Sequence, residues 1–196
     1  MARVSILKKT REALHDEYNH RCAICGSDRP QLHHIDENHA NNDLLNLLPL
    51  CPNCHLRDQH NPTRKVEVPK LQLFRKYKDP AVLKPQFHPV FIRQQFLATV
   101  GDDTSSVSEV ERQVKELIEL VAALEMGDFY ATRLTELLGP LRRPFVMSLD
   151  GRPDFAYEHA VREANRDYRT KVRTNRDAAV ALLVEQLRYQ RWANEA

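Results

Sequence analysis

The sequence predicts an α+β fold in which a small ββα unit is followed by a mainly α-helical C-terminal region. Two Cys-x-x-Cys pairs, Cys22/Cys25 and Cys51/Cys54, enclose a segment of the length of a hairpin. Apolar residues recur at steps of three and four over residues 107–124, and further helical stretches are predicted in the second half of the chain. With 196 residues, the chain suits one large domain or two small ones and can bury a core.

The elements of the ββα unit follow from apolar periodicity and turn residues. Residues 52–59 are predicted as a short helix, because the proline at its start is tolerated in a first helical turn. The preceding elements are a helix over 5–20, a turn over 26–30, an extended segment over 31–36, an Asn-rich polar loop over 36–43 and a returning apolar segment over 44–50.

The remainder of the chain is predicted as a connector followed by helices. Residues 61–100 contain five prolines and leave room for short helices at 71–78 and 90–100. The polar run 101–106 marks a boundary and offers a helix N-cap at 104–106. Helices are expected over 107–124, 129–138, 155–173 and 176–192, with a turn at 150–153, so the predicted domains are 1–62, 63–103 and 104–196.

The first of these C-terminal helices has an apolar seam at alternating steps of three and four. Such a seam predicts pairing with another helix, within the same unit or across a homodimer. It covers less than three heptads, which favours pairing within the chain. Its residues are Val107, Val110, Val114, Leu117, Val121 and Leu124.

The four cysteines predict a structural zinc site. Cys22, Cys25, Cys51 and Cys54 are the only cysteines in the chain, so none remains for a disulfide. Two Cys-x-x-Cys pairs at this spacing are typical of four thiolates around one tetrahedral zinc ion. No apolar stretch reaches the roughly 20 residues of a membrane span, and the first ten residues lack a signal-peptide core. We therefore expect a cytoplasmic, reducing environment with no membrane partner.

Histidines between and directly after the two cysteine pairs indicate a second metal site. His33 and His34 lie between the two cysteine pairs, Asn46 follows, and His55 comes directly after Cys54. The ordered set His34, Asn46 and His55, flanked by the two cysteine pairs, resembles the HNH endonuclease family over roughly residues 20–60. The family's core is the ββα-metal fold.

The resemblance implies a role for each residue. His34 is expected to be the general base, since a histidine with a pKa near 6.5 is neutral and basic near pH 7. Neighbours on a strand face opposite sides, so His33 and His34 cannot perform the same task. The resemblance makes His33 a metal ligand and His55 the next one. In the family a third ligand lies one helical turn further on, where this chain has Gln59, with His60 one residue beyond. The expected catalytic cation is Mg²⁺ or Mn²⁺. Asn46 would hold the loop between the strands and so orient His34.

Positive charge is concentrated beside the histidines. Residues 1–100 contain 15 basic and 10 acidic residues, whereas residues 101–196 contain 14 and 17. Glu67 is the only acidic residue among six basic ones that are predicted to contact nucleic acid, with a solvated helical face as the alternative. These six are Arg64, Lys65, Lys70, Arg75, Lys76 and Lys78. A further set, Arg162, Arg166, Arg169 and Arg173, shares one helix face, where phosphate contact and a solvated face are equally plausible.

The sequence thus predicts a metal-dependent HNH endonuclease that hydrolyses DNA phosphodiester bonds and leaves 5′ phosphates, with RNA left open as a substrate. Family members of this size serve phages, restriction systems and antiviral defence. One alternative is a catalytically silent zinc module that binds nucleic acid or protein. Another is a nuclease effector subunit that a partner protein activates through the C-terminal helices.

Overall fold

The chain forms two compact units that divide between Lys84 and Pro85 in a computed structural model. The structure describes residues 5–100, 106–144 and 155–190. Helices predominate and one two-stranded sheet is present, which agrees with the predicted α+β class. The division differs from the predicted boundaries after residues 62 and 103, because the proline-rich connector is shared between the two units.

The first unit is built around a short antiparallel hairpin. Strand β1 spans Gln31–His34 and pairs with β2, Leu47–Leu50, so that His33 lies opposite Leu48 and His34 opposite Leu47. Helix α1, Lys8–Glu17, packs on β2 and is shorter than the predicted 5–20. A 3₁₀ turn at Leu44–Asn46 leads into β2. The core of this unit contains Leu14, Ile35, Leu47, Leu48, Leu50, Leu71 and Phe74.

The helix that follows the hairpin spans Asn53–Gln59, close to the short helix predicted over 52–59, and it is a π-helix. A π-helix bonds residues five apart and has more residues per turn than an α-helix. The fifth residue along therefore returns closer to the starting face. For His55, that residue is His60.

Helix α2, Val68–Tyr77, is attached to the hairpin by one buried arginine. Arg75 is 4% exposed, and its guanidinium donates two hydrogen bonds to the Glu17 carboxylate, at 3.0 and 2.8 Å. It also donates to the carbonyl oxygens of Leu44 and Leu47, at 3.3 and 3.1 Å, and to the Tyr18 hydroxyl at 3.3 Å. One side chain thus joins α1, the hairpin and α2, so Arg75 holds the strand that lies opposite His34.

The second unit is a helical assembly. Its helices are α3 at His88–Gln94, α4 at Phe96–Thr99, α5 at Val107–Ala122, α6 at Gly127–Leu138 and α7 at Phe155–Leu187. The Ser106 side chain accepts a hydrogen bond from the Glu109 N–H, which confirms an N-cap in the predicted segment; residues 104 and 105 lie outside the described part. A Cβ at Gly127 would lie 2.2 Å from the Ala122 carbonyl oxygen, so the turn into α6 requires glycine.

The apolar seam of α5 is buried within this unit. Val110, Val114, Leu117 and Val121 are at most 3% exposed, and α5 packs against α3, α6 and α7. This is the intramolecular pairing that the short seam favoured. Helix α6 ends at Leu138 and is capped by Gly139, whose φ is 45°, as the predicted Gly139-Pro140 stop implies.

Helix α7 runs unbroken for 33 residues, whereas the sequence predicted two helices that meet near residue 174. Neither glycine nor proline interrupts it. Asn175 has a low helix propensity, but its side-chain amide donates to the Leu137 carbonyl oxygen at 3.0 Å, and this contact with α6 supports the helix there. The predicted turn at 150–153 and the predicted end at 192 lie outside the described residues. None of the described helices combines the length and apolarity needed to cross a membrane.

Candidate metal centre

The two cysteine pairs meet in one cluster in the first unit. The four Sγ atoms of Cys22, Cys25, Cys51 and Cys54 all lie within 4.8 Å of one another, and Cys25 Sγ is 3.6 Å from both Cys51 Sγ and Cys54 Sγ. Sulfur atoms on a tetrahedral zinc ion, at about 2.3 Å each, are about 3.8 Å apart. The cluster therefore has the donor atoms and the spacing of a four-cysteine metal site.

The four thiols differ in how readily they ionise, and a bound cation would favour the thiolate form of all of them. The Ser27 side chain and N–H hydrogen-bond to Cys25 and lower its pKa to about 6. Burial raises the pKa of Cys22 and of Cys54, so these two thiols resist ionisation on their own. A positive ion among them offsets this effect, because a coordinating thiol is held as the thiolate.

The two adjacent histidines on β1 have different neighbours. Both are buried, with His33 7% and His34 5% exposed. The His33 ring contacts His55 and His60, whereas the His34 ring contacts His39 and Asn42. This separation follows from strand geometry, in which successive side chains point to opposite faces.

Three imidazoles gather beside the π-helix. The ring centroids of His33 and His55 are 5.1 Å apart, those of His55 and His60 are 5.0 Å apart, and those of His33 and His60 are 6.4 Å apart. Two imidazoles on one ion, with metal–nitrogen bonds of about 2.1 Å, have centroids roughly 4.5–5.5 Å apart. Two of the three pairs fit this range. Among the described residues, however, the four cysteines are the only group of three or more with ligand atoms close enough to hold an ion as placed, so a metal at the histidines requires the rings to move, by about 1 Å for the third pair. The π-helix thus brings His60 to the two histidines that the sequence pattern predicted as ligands.

The electrostatic environment of His33 keeps its ring neutral. Burial, followed by the neighbouring His55 and His60, lowers the pKa of His33 to about 4. At pH 7 the ring therefore keeps a nitrogen lone pair available for a metal ion.

Gln59, the other predicted third ligand, is buried at 4% exposure, and its Oε1 has no hydrogen-bond partner among the described residues. A buried carbonyl oxygen without a partner costs about 1–3 kcal/mol. A cation or a water molecule would satisfy it. Gln59 Oε1 is therefore a second candidate metal ligand, besides His55, in the same short helix.

His34 is oriented by Asn42, which no sequence motif marks. His34 Nε2 lies 3.0 Å from Asn42 Oδ1, and the His39 ring meets the His34 ring edge-on at 5.3 Å. Asn42 also donates from Nδ2 to the Ser5 carbonyl oxygen at 3.4 Å. Asn42 lies in the Asn-rich loop. The composition of this loop indicated that an asparagine could contact the site, but nothing in the sequence distinguishes Asn42 from its neighbours Asn38 and Asn41.

Asn46 ties together the loop that precedes β2. Its Oδ1 accepts from the Asp36 N–H at 3.0 Å, and its Nδ2 donates to Asp36 Oδ1 at 2.8 Å and to the Asn41 carbonyl oxygen at 2.9 Å. The Asn46 carbonyl oxygen accepts from the Ile35 N–H at 2.8 Å. These bonds fix the residues that follow His34, and the orientation of His34 by Asn46 stays a prediction.

The predicted basic patch is only partly available to a nucleic acid. Arg75 is an internal residue, so its assignment as a phosphate contact is corrected: a guanidinium that holds Glu17 and two backbone carbonyls has no exposed face. Lys70 is also buried, at 9% exposure, and burial lowers its pKa. The side chains of the other four are at the surface or half-buried: Arg64, Lys65, Lys76 and Lys78.

Acidic neighbours engage three of these four. Lys65 pairs with Glu37, Lys78 pairs with Glu17, and Arg64 lies 3.7 Å from Asp58. Exposed ion pairs contribute about 0–1 kcal/mol and exchange readily with phosphate.

Comparison of the chain with protein-family models, curated proteins and solved structures found no match.

Proposed function

We propose that this protein is a metal-dependent endonuclease of the HNH type that hydrolyses phosphodiester bonds in DNA. The observation that supports this most is the grouping of His33, His55 and His60 beside the separately oriented His34. A structural zinc module needs only its four cysteines. Four further histidines, three of them grouped and His34 held apart from these three, favour catalysis.

In this proposal His34 is the general base. With Asn42 Oδ1 as acceptor, His34 carries its proton on Nε2, and Nδ1 is the basic nitrogen that removes a proton from the attacking water. Once both nitrogens are protonated, the bond to Asn42 persists and holds the ring in place. Asn46 fixes the loop that contains Asn42, so both residues act by positioning.

His33, His55 and His60 are the proposed ligands of the catalytic cation. A divalent ion bound there would stabilise the charge that develops on the departing 3′ oxygen, leaving a 5′ phosphate. Imidazole donors suit Mn²⁺ and similar transition metals better than Mg²⁺, which prefers oxygen. Participation of Gln59 Oε1 would shift the preference towards Mg²⁺. The cysteine cluster is proposed to hold zinc, which stabilises the hairpin on which the histidines lie.

A plasmid-cleavage assay tests this proposal. The full-length protein should nick supercoiled plasmid when Mn²⁺ or Mg²⁺ is added, and His34→Ala should abolish nicking. His88→Ala, at an exposed histidine of the second unit, is the matched control and should cleave normally. Zinc content and circular dichroism should be the same for all three proteins. Full activity of His34→Ala would contradict the assignment, and a wild-type protein that binds DNA without cleaving it under any metal would favour the silent zinc module.

A further inference from the structure

The second unit contains a cleft of about 550 Å³ along one face of α7. Four of the residues that line it are arginines from that helix: Arg162, Arg166, Arg169 and Arg173. The cleft volume lies within the roughly 300–1,000 Å³ of small-ligand sites. The helix face that the sequence left ambiguous is thus one wall of a concave basic surface.

The charge of three of these arginines, Arg162, Arg166 and Arg173, is weakly compensated within the described residues. Arg166 is 3.8 Å from Glu163 and 4.0 Å from Asp167, at the outer limit of an ion pair, and all three side chains are more than half exposed. Arg162 lies 6.0 Å from the centroid of the Phe155 ring. Within the described residues, neither Arg162 nor Arg173 forms an ion pair. An open basic cleft of this kind favours an anionic ligand over internal pairing.

The dimensions of the wall indicate an anion with several charges. From Arg162 to Arg173, the α-helical rise of about 1.5 Å per residue places the outer two Cα atoms about 16 Å apart. Asn165 and Thr170 add hydrogen-bonding groups, and Val100 and Val107 form an apolar part of the lining. A single phosphate can engage only one or two guanidiniums, so four arginines around one cleft match a run of phosphates.

We propose that this cleft binds a chain of phosphate groups, either the sugar–phosphate backbone of a nucleic acid strand or the phosphates of a free nucleotide. The arginines supply charge-assisted hydrogen bonds, often bidentate, to successive phosphates, and the apolar wall accommodates the sugar or base. This site is separate from the histidine cluster and needs no divalent ion. It therefore does not depend on the endonuclease activity proposed above.

The test compares two double variants of the full-length protein without added divalent metal. Arg162→Gln/Arg173→Gln changes the cleft, and Arg142→Gln/Arg176→Gln removes the same charge from exposed positions that do not line it. One probe is fluorescent single-stranded oligothymidylate, and the other is inorganic tripolyphosphate added as competitor at matched ionic strength. Thermal unfolding and circular dichroism check that both variants fold.

The cleft variant should bind the oligonucleotide about tenfold more weakly or worse, and the control should change less than about twofold. For two lost single-strand phosphate contacts, the slope of log affinity against log salt should fall by about 1.4. A tripolyphosphate affinity that equals or exceeds that of the oligonucleotide identifies a free phosphate chain as the ligand, and a much weaker one identifies the strand. The proposal would be overturned if both variants lost the same affinity, or if the cleft variant bound both the oligonucleotide and tripolyphosphate as tightly as the wild-type protein. Because the readout is binding, a failed cleavage assay leaves this result unaffected.

Discussion

Replacing Arg75 by Ala should destabilise the first unit by about 3 kcal/mol. The change removes two hydrogen bonds to Glu17, one to the Tyr18 hydroxyl and two to backbone carbonyls, and it leaves the buried Leu47 carbonyl oxygen without this donor. Removing one partner of a fully buried pair costs about 3–5 kcal/mol. The Glu17 side chain is 27% exposed and keeps its ion pair with Lys78, which places the expected loss near the lower end of that range.

The effect should depend on pH. Burial alone would raise the pKa of Glu17, but hydrogen bonds from Arg75 and Lys78 outweigh it and lower the pKa below the model-peptide value of 4.5. A carboxylate with a lowered folded-state pKa stabilises the fold above the unfolded-state value, and this contribution is lost as the pH falls through the folded-state pKa. The difference between wild type and Arg75→Ala should therefore be full at pH 7 and should shrink below about pH 4.5.

Hydrogen exchange of the hairpin amides measures this difference in the first unit alone. The free energy of opening at the Ile35 N–H should fall in Arg75→Ala, and cleavage should fall with it, because Arg75 holds the residue opposite His34. Lys76→Ala, next along the same helix but exposed, is the matched control and should change stability by less than about 0.5 kcal/mol. A loss of stability below about 1 kcal/mol in Arg75→Ala, or an equal loss in Lys76→Ala, would refute the proposed role of Arg75 in joining α1, the hairpin and α2.

Three other outcomes concern the metal sites and the loop. Cys22→Ser should lower bound zinc from about one ion per chain, measured by inductively coupled plasma mass spectrometry, and unchanged zinc would exclude the cysteine cluster as its site. His60→Ala should weaken Mn²⁺ binding by calorimetry about tenfold or more and by more than Gln59→Ala does; the opposite order would make Gln59 the third donor. Asn46→Ala should destabilise the hairpin by about 1–3 kcal/mol in urea unfolding, because it leaves the Asp36 N–H and the Asn41 carbonyl oxygen unpaired, while a loss equal to that of Asn38→Ala would contradict a special role for Asn46.

The hairpin and the cysteine cluster could be predicted because local rules determine them. The spacing within each Cys-x-x-Cys pair, the apolar residues from 44 to 50 and the polar loop before them are features of short stretches of chain. The π-helix could not be predicted in this way. Its hydrogen bonds span one residue more than those of an α-helix, and no residue type in Asn53–Gln59 specifies that difference.

The burial of Arg75 was also beyond the sequence. Within a run of basic residues, a lysine or arginine that faces solvent and one that faces the core look alike, and only the distant Glu17 distinguishes them. For α7, the predicted break failed because a contact with α6 at Asn175 outweighs a weak local propensity. In each case a contact distant in sequence decided what the local pattern left open.

The cysteine cluster joins two points of the chain that are 26 residues apart, from Cys25 to Cys51, and both strands of the hairpin lie between them. With zinc as the proposed ion, folding of this loop and occupancy of the cluster are one linked equilibrium. Above the dissociation constant, each tenfold rise in free zinc then adds about 1.4 kcal/mol to the stability of the loop. His33 and His34, which lie on that loop, would thus be held in place to a degree set by the availability of zinc. Zinc limitation would then lower the proposed nuclease activity without removing the proposed catalytic ion.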